Sequence, residues 1–185
     1  MTLKQTHITL LSKDIHLIAK DFPLAAIQPL YPLPEFKEKN HQYDRLIAGW
    51  THHWNATFTP IDPLDPNLIK ALIASESSFN ANIIVGEAHG LMQLMTKTLH
   101  YLADPNELKN HFIQIKTSDL LDPNINICAG IRWLFRKKQI AVSKQRFGWR
   151  EAVREFKGYK TTDPIQKGMH RFDALYQEIA LYQKI

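Results

Sequence analysis

Residues 74–95 read ASESSFNANIIVGEAHGLMQLM, and their first charged residue, Glu76, closes an apolar periodicity that begins upstream. Leu72 and Leu68 lie four and eight residues before it, Ile73 and Ile69 three and seven. On a helix that spacing puts the carboxyl on the face that carries four aliphatic side chains. The helix opens at Asp65, a good N-cap, with Pro66 at its first position, so Glu76 falls near its C-terminal end. Burial and the partial negative charge of a helix C-terminus both disfavour an ionised carboxylate. A carboxyl kept protonated near neutral pH is what a general acid for glycosidic cleavage needs. The plain alternative is a helix-terminal glutamate whose side chain reaches water.

The same helical grammar recurs on both sides. HQYDRLIAGWTHHW (41–54) sets Tyr43, Leu46, Ile47, Trp50 and Trp54 on one stripe. LDPNINICAGIRWLFRKK (121–138) repeats the Asp-Pro start at Asp122 and Pro123, with Ile127, Ile131 and Leu134 as its stripe. WREAVREFKGY (149–159) and HRFDALYQEIALYQKI (170–185) predict two further amphipathic helices. A short strand is expected around Asn82–Val85. Composition agrees: of 185 residues 44% are hydrophobic and 22% charged, which excludes wholesale disorder. Only 7 are glycine, which disfavours a turn-rich all-β fold. Seven of the ten prolines fall in the first 66 residues, fragmenting helices there. FPLAAIQPLYPLPEF (22–36) is too apolar for a solvated linker. Residues 1–38 therefore read as a Pro-rich extension that packs on a main domain over 39–185.

Several ordered motifs then fall into register. Glu76-Ser77, Phe79-Asn80, Gly90-Leu91-Met92-Gln93 and a downstream helix with Asn126 and Ala129-Gly130 together resemble the soluble lytic transglycosylase (SLT) family, over about residues 42–160. The resemblance implies a mainly α, goose-lysozyme-like helical domain with at most a short β element. It also implies cleavage of bacterial peptidoglycan between N-acetylmuramic acid and N-acetylglucosamine without water as nucleophile. Glu76 would protonate the glycosidic oxygen and then act as base on the muramoyl 6-hydroxyl, closing a 1,6-anhydro ring. Ser77, Met92 and Gln93 would line the substrate groove beside it. One departure stands out. Where the family carries Ala-Tyr-Asn, this chain reads AVREFKGYK (152–160), with Phe156 and Lys157 replacing the tyrosine and asparagine. Phe156 cannot donate the tyrosine's hydrogen bond. Either Tyr159 or Lys157 substitutes, or burial alone tunes Glu76.

Rival readings follow from other features. Glu87, eleven residues after Glu76, would position a water in a hydrolytic muramidase. The Phe156-Lys157 departure also suits a catalytically impaired peptidoglycan-binding module. Between Arg132 and Arg171 there are twelve Lys/Arg and three Asp/Glu, a local balance of +9 within an overall +5. That segment is either a solvated basic face or an attractor of polyanions such as the cell wall. A nucleic-acid partner would leave the Glu76 constellation unused and is not expected. Neither a cofactor nor a metal is expected: the nine histidines lack HExxH spacing and Cys128 is the only cysteine. No apolar run approaches the ~18 residues of a transmembrane helix, and the first twenty residues do not read as a secretory signal. Synthesis in the cytoplasm is expected, with action in the periplasm or on the wall after delivery by a secretion, phage or transfer apparatus.

Overall fold

The tetrapeptide Leu-Asp-Pro-Asn occurs at 64–67 and again at 121–124. In the computed structural model, which describes residues 8–23, 30–159 and 167–182, each copy starts a core helix. The chain runs β1 (Thr9–Leu11), α1 (Ser12–Lys20), a 3-10 segment (Pro34–His41), α2 (Asp44–Phe58), α3 (Pro66–Ser77), β2 (Ile84–Val85), β3 (Ala88–His89), β4 (Leu94–Met95) and α4 (Thr96–Ala103). It continues through β5 (Phe112–Gln114), a second 3-10 segment (Thr117–Leu121), α5 (Pro123–Ser143), α6 (Trp149–Phe156) and α7 (Lys167–Tyr182). The fold is mainly α, as the sequence predicts.

The two Asp-Pro starts work as N-caps. Asp65 Oδ1 accepts the Asn67 amide at 2.8 Å, and Asp122 Oδ1 accepts those of Asn124 and Ile125 at 2.8 and 3.1 Å. Each tetrapeptide's asparagine then ties the helix start to a distant segment. Asn67 Oδ1 accepts the Tyr31 amide at 2.9 Å, while Asn124 Oδ1 accepts Trp50 Nε1 at 2.7 Å. Polar groups this deep are costly unless bonded, so the pairs fix how the segments meet.

Helix α5 is the axis of the core. Every residue from Asn124 to Phe135 is buried, because α1, α2, α4, α6 and the second 3-10 segment all pack on it. Trp50 and Trp54 are fully buried, and Trp54 Nε1 donates to the Cys128 carbonyl at 3.1 Å. Helix α3 buries nine of its twelve residues and lies against α2 and α7. Ile15 and Leu33 of the proline-rich segment are fully buried in the same core cluster.

The β content is greater than one short element. β2, β3 and β4 form an antiparallel meander with Ile84 opposite His89 and Ala88 opposite Met95. β1 pairs in parallel with β5, from Thr9 opposite Phe112 to Leu11 opposite Gln114, a pairing of distant segments that local periodicity does not reveal. Helices α1 and α4 were not predicted either; at nine and eight residues they bury only two and three side chains. Helix α2 starts at Asp44, not His41, because the preceding residues follow a 3-10 path and Tyr43 becomes the residue before the helix. Residues 183–185 of the last expected helix lie outside the described residues.

Two histidines give the fold a pH dependence. His53 on α2 stands edge-on to Trp54 at 4.9 Å, and His111 edge-on to Phe58 at 5.4 Å. Burial holds both below the usual 6.5, His53 further through His111 and His52, and His111 through the Arg132 guanidinium. The unfolded chain therefore binds more protons than the folded one in this window. Their stabilisation is complete above about pH 6.5 and is lost as the pH falls through the lower folded values. We predict a urea midpoint that declines below pH 6.5, and a shallower decline in the His53→Gln/His111→Gln variant. Identical profiles would show that these groups carry no linkage.

Candidate active site

Glu76 is the penultimate residue of α3, and the chain leaves that helix abruptly. Ser78 (φ 50°) and Phe79 (φ 61°) are both left-handed, and the Ser78 amide closes the helix on the Ala74 carbonyl at 3.1 Å. Left-handed backbone is unfavourable for these residue types, and burial of Phe79, edge-on to Phe36 at 5.1 Å, offsets the cost. The turn thus fixes the end of α3 and the side chain it presents.

The Glu76 carboxylate is 19% exposed, and its Oε1 lies 2.5 Å from Lys157 Nζ. Lys157 follows the last residue of α6, its side chain 5% exposed, and it also donates to Ser75 Oγ at 3.1 Å. Ser75 in turn donates to the Leu72 carbonyl at 2.8 Å. Glu76 Oε2 has no hydrogen-bond partner among the described residues. Aliphatic surroundings alone, as the periodicity suggested, are therefore not what Glu76 meets: an ammonium from another helix reaches it. Of the open substitutes for the family tyrosine, Lys157 makes the contact. Tyr159 instead packs its hydroxyl against Gly168 of α7, where a Cβ would collide with it. Phe156 is half-buried against the core.

Asn126 of α5 organises the Gly90–Gln93 loop. Its Oδ1 accepts the Met92 amide at 2.8 Å, while Nδ2 donates to the carbonyls of Leu120 at 2.8 Å and His89 at 3.0 Å. Gly90 is left-handed (φ 72°), and a Cβ there would strike the Leu120 carbonyl and Asn126 Nδ2. One turn along α5, Gly130 leaves room for the Met92 thioether.

The other expected site residues are distributed differently from the reading. Ser77 is buried, its hydroxyl bonded to the Ile73 carbonyl at 3.1 Å, and Met92 is fully buried. The asparagine tie and the Gly130 gap draw the loop carrying Met92 against α5. Gln93 (φ 47°) is half-buried and bonds its own loop, donating to the Gly90 carbonyl at 2.8 Å. Glu87 is exposed at the β2–β3 turn, and its carboxylate makes no hydrogen bond or ion pair among the described residues. Sequence reasoning missed Ser75 and Arg171. Arg171 Nη2 donates to Ser78 Oγ at 3.0 Å from α7, a position legible as the flank of a helical stripe but with no signal for its partner.

Among the described residues, much of the basic segment is ion-paired. Lys138 pairs with Asp62 at 3.0 Å, Lys144 with Glu155 at 2.8 Å, and Arg150 with Asp173 at 2.6 Å. Arg146 also meets Glu155, Arg154 meets Glu151 at 2.7 Å, and Arg132 is buried. Pairing of this density weakens long-range attraction for polyanions. Among the described residues no three His, Cys, Asp or Glu side chains gather to hold a metal ion, and no helix is long and apolar enough to cross a membrane.

Asn126→Ala would remove the side-chain partner of three backbone groups, two of them in buried bonds and one in a part-buried one. We predict a loss of about 3 kcal/mol, from roughly 1 kcal/mol per group, read as a lower urea midpoint at unchanged slope. A loss below about 1 kcal/mol would show that the loop does not depend on this tie.

Residues 60–145 match the family model described as Transglycosylase SLT domain. No curated protein matches the chain. The match includes Glu76, the Gly90–Gln93 loop and Asn126; it ends before Lys157.

Proposed function

We propose that Glu76 is the catalytic acid and base of a peptidoglycan lytic transglycosylase, a reading supported by the match of residues 60–145 to the Transglycosylase SLT domain, lysozyme-like in fold and of a family whose members generally have that activity. The observation that carries the reading is a carboxylate with one oxygen held by Lys157 and the other without a hydrogen-bond partner among the described residues, at the fixed end of α3. The substrate is the glycan strand of peptidoglycan. Protonated Glu76 gives its proton to the oxygen linking N-acetylmuramic acid to N-acetylglucosamine, and the bond from that oxygen to the muramoyl C1 breaks. The carboxylate then takes the proton of the muramoyl 6-hydroxyl as O6 bonds to C1. The product ends in 1,6-anhydro-muramic acid, and Glu76 is again protonated. Proximity of the 6-hydroxyl stands in for a captured water. The enzyme works in the periplasm or on the wall, after delivery through a secretion, phage or transfer apparatus.

Glu76→Gln keeps the shape of the side chain but cannot cycle a proton. We predict that it lowers turnover of purified sacculi at least 100-fold with the fold retained, general acid–base catalysis being worth roughly 10²–10⁴. Retention of more than about a tenth of the wild-type rate would remove Glu76 from the mechanism. Glu87→Gln, made in parallel, should stay within about threefold of wild type, since its carboxylate is solvated and unheld.

A further inference from the structure

We propose that Lys157 is the positioning residue of this site: it clamps one oxygen of Glu76 so that the other carries the proton, and its charge balances the carboxylate formed on proton transfer. The inference rests on Glu76 being the acid and base. It starts from how Lys157 is aimed. Helix α6 is anchored to α5 through buried Trp149, Ala152 and Val153. The Lys157 amide closes the helix on the Val153 carbonyl at 2.9 Å, and Gly158 (φ 74°) turns the chain away. The side chain therefore leaves a fixed helix end.

An ammonium that is only 5% exposed is costly unless its protons find acceptors. Here two are supplied, Glu76 Oε1 at 2.5 Å and Ser75 Oγ at 3.1 Å. Ser75 is oriented to accept because its own proton is committed to the Leu72 carbonyl. Lys157 thus holds Oε1 from one side, and Oε2 has no hydrogen-bond partner among the described residues.

The proton balance gives the clamp its catalytic role. When Oε2 delivers its proton to the glycosidic oxygen, negative charge appears on the carboxylate beside a fixed ammonium. When the 6-hydroxyl proton returns to Oε2, that charge disappears. The ammonium thus stands beside the carboxylate while Glu76 is the base, and the clamp keeps Oε2 in place for the returning proton.

The test uses the full chain and a soluble uncrosslinked glycan oligomer. Lys157→Met should lower kcat about 30-fold or more, with KM within about threefold, the pattern of an interaction realised in the transition state. Lys157→Arg, which restores charge and donors, should recover at least a third of that loss on a logarithmic scale. In the Glu76→Gln background, Lys157→Met should add less than a threefold further loss, because the two act as a unit. If Lys157→Met does not fold, as read by its urea midpoint, Lys157→Gln takes its place in the same comparison. The proposal is overturned if the charge-removed variant keeps kcat within threefold, loses only KM, gains activity, or loses kcat equally in the Glu76→Gln background. Activity surviving in Glu76→Gln itself would instead overturn the assignment of Glu76, a result read independently of Lys157.

Discussion

Three hydrogen bonds from one buried amide hold the Gly90–Gln93 loop against α5. Asn126 spends both ends of its side chain on backbone groups of Met92, His89 and Leu120. That joins α5 to the segment after the β2–β3 turn and to the 3-10 segment that leads into α5 itself. The loop can approach this closely only because Gly90 and Gly130 lack side chains where a Cβ would collide. Asparagine suits the position because it offers an acceptor and two donors in one plane. Aspartate would lose the donors, and an apolar residue would strand three backbone groups.

The end of α3 is held by a different kind of constraint. Glu76 stands where α3 ends in two left-handed residues, and α6 and α7 reach that end through Lys157 and Arg171. The ion pair with Lys157 joins residues 81 apart in sequence, and only one partner lies within the matched domain. Charge pairing also accounts for the basic stretch after Arg132. Its arginines and lysines are largely matched to acids on α6, α7 and the loops, so they brace the helices around the site more than they project a field.

Much of this was legible in the sequence, for identifiable reasons. Long stripes with Asp-Pro starts specify α3 and α5 locally, since capping and periodicity act within a few residues. The Gly90–Gln93 and Asn126 motifs mark a loop tied to α5, because backbone demands at Gly90 and Asn126 restrict residue type. What escaped was set by distance. The β1–β5 pairing joins segments about a hundred residues apart, and α1 and α4 are too short for their periodicity to stand out. The inward placement of Ser77 and Met92, and the choice of Lys157 over Tyr159, depend on packing between helices that no spacing rule encodes.

The central claim is that bond cleavage uses the substrate's own 6-hydroxyl under the control of Glu76. Mass spectrometry of the fragments released from purified sacculi by the wild-type chain tests it most directly. The account predicts muropeptides ending in 1,6-anhydro-muramic acid, each lighter by one water than its hydrolysed counterpart, and their absence with Glu76→Gln. Fragments bearing reducing muramic acid ends, released by the wild type at comparable or greater yield, would contradict it and make the chain a hydrolase.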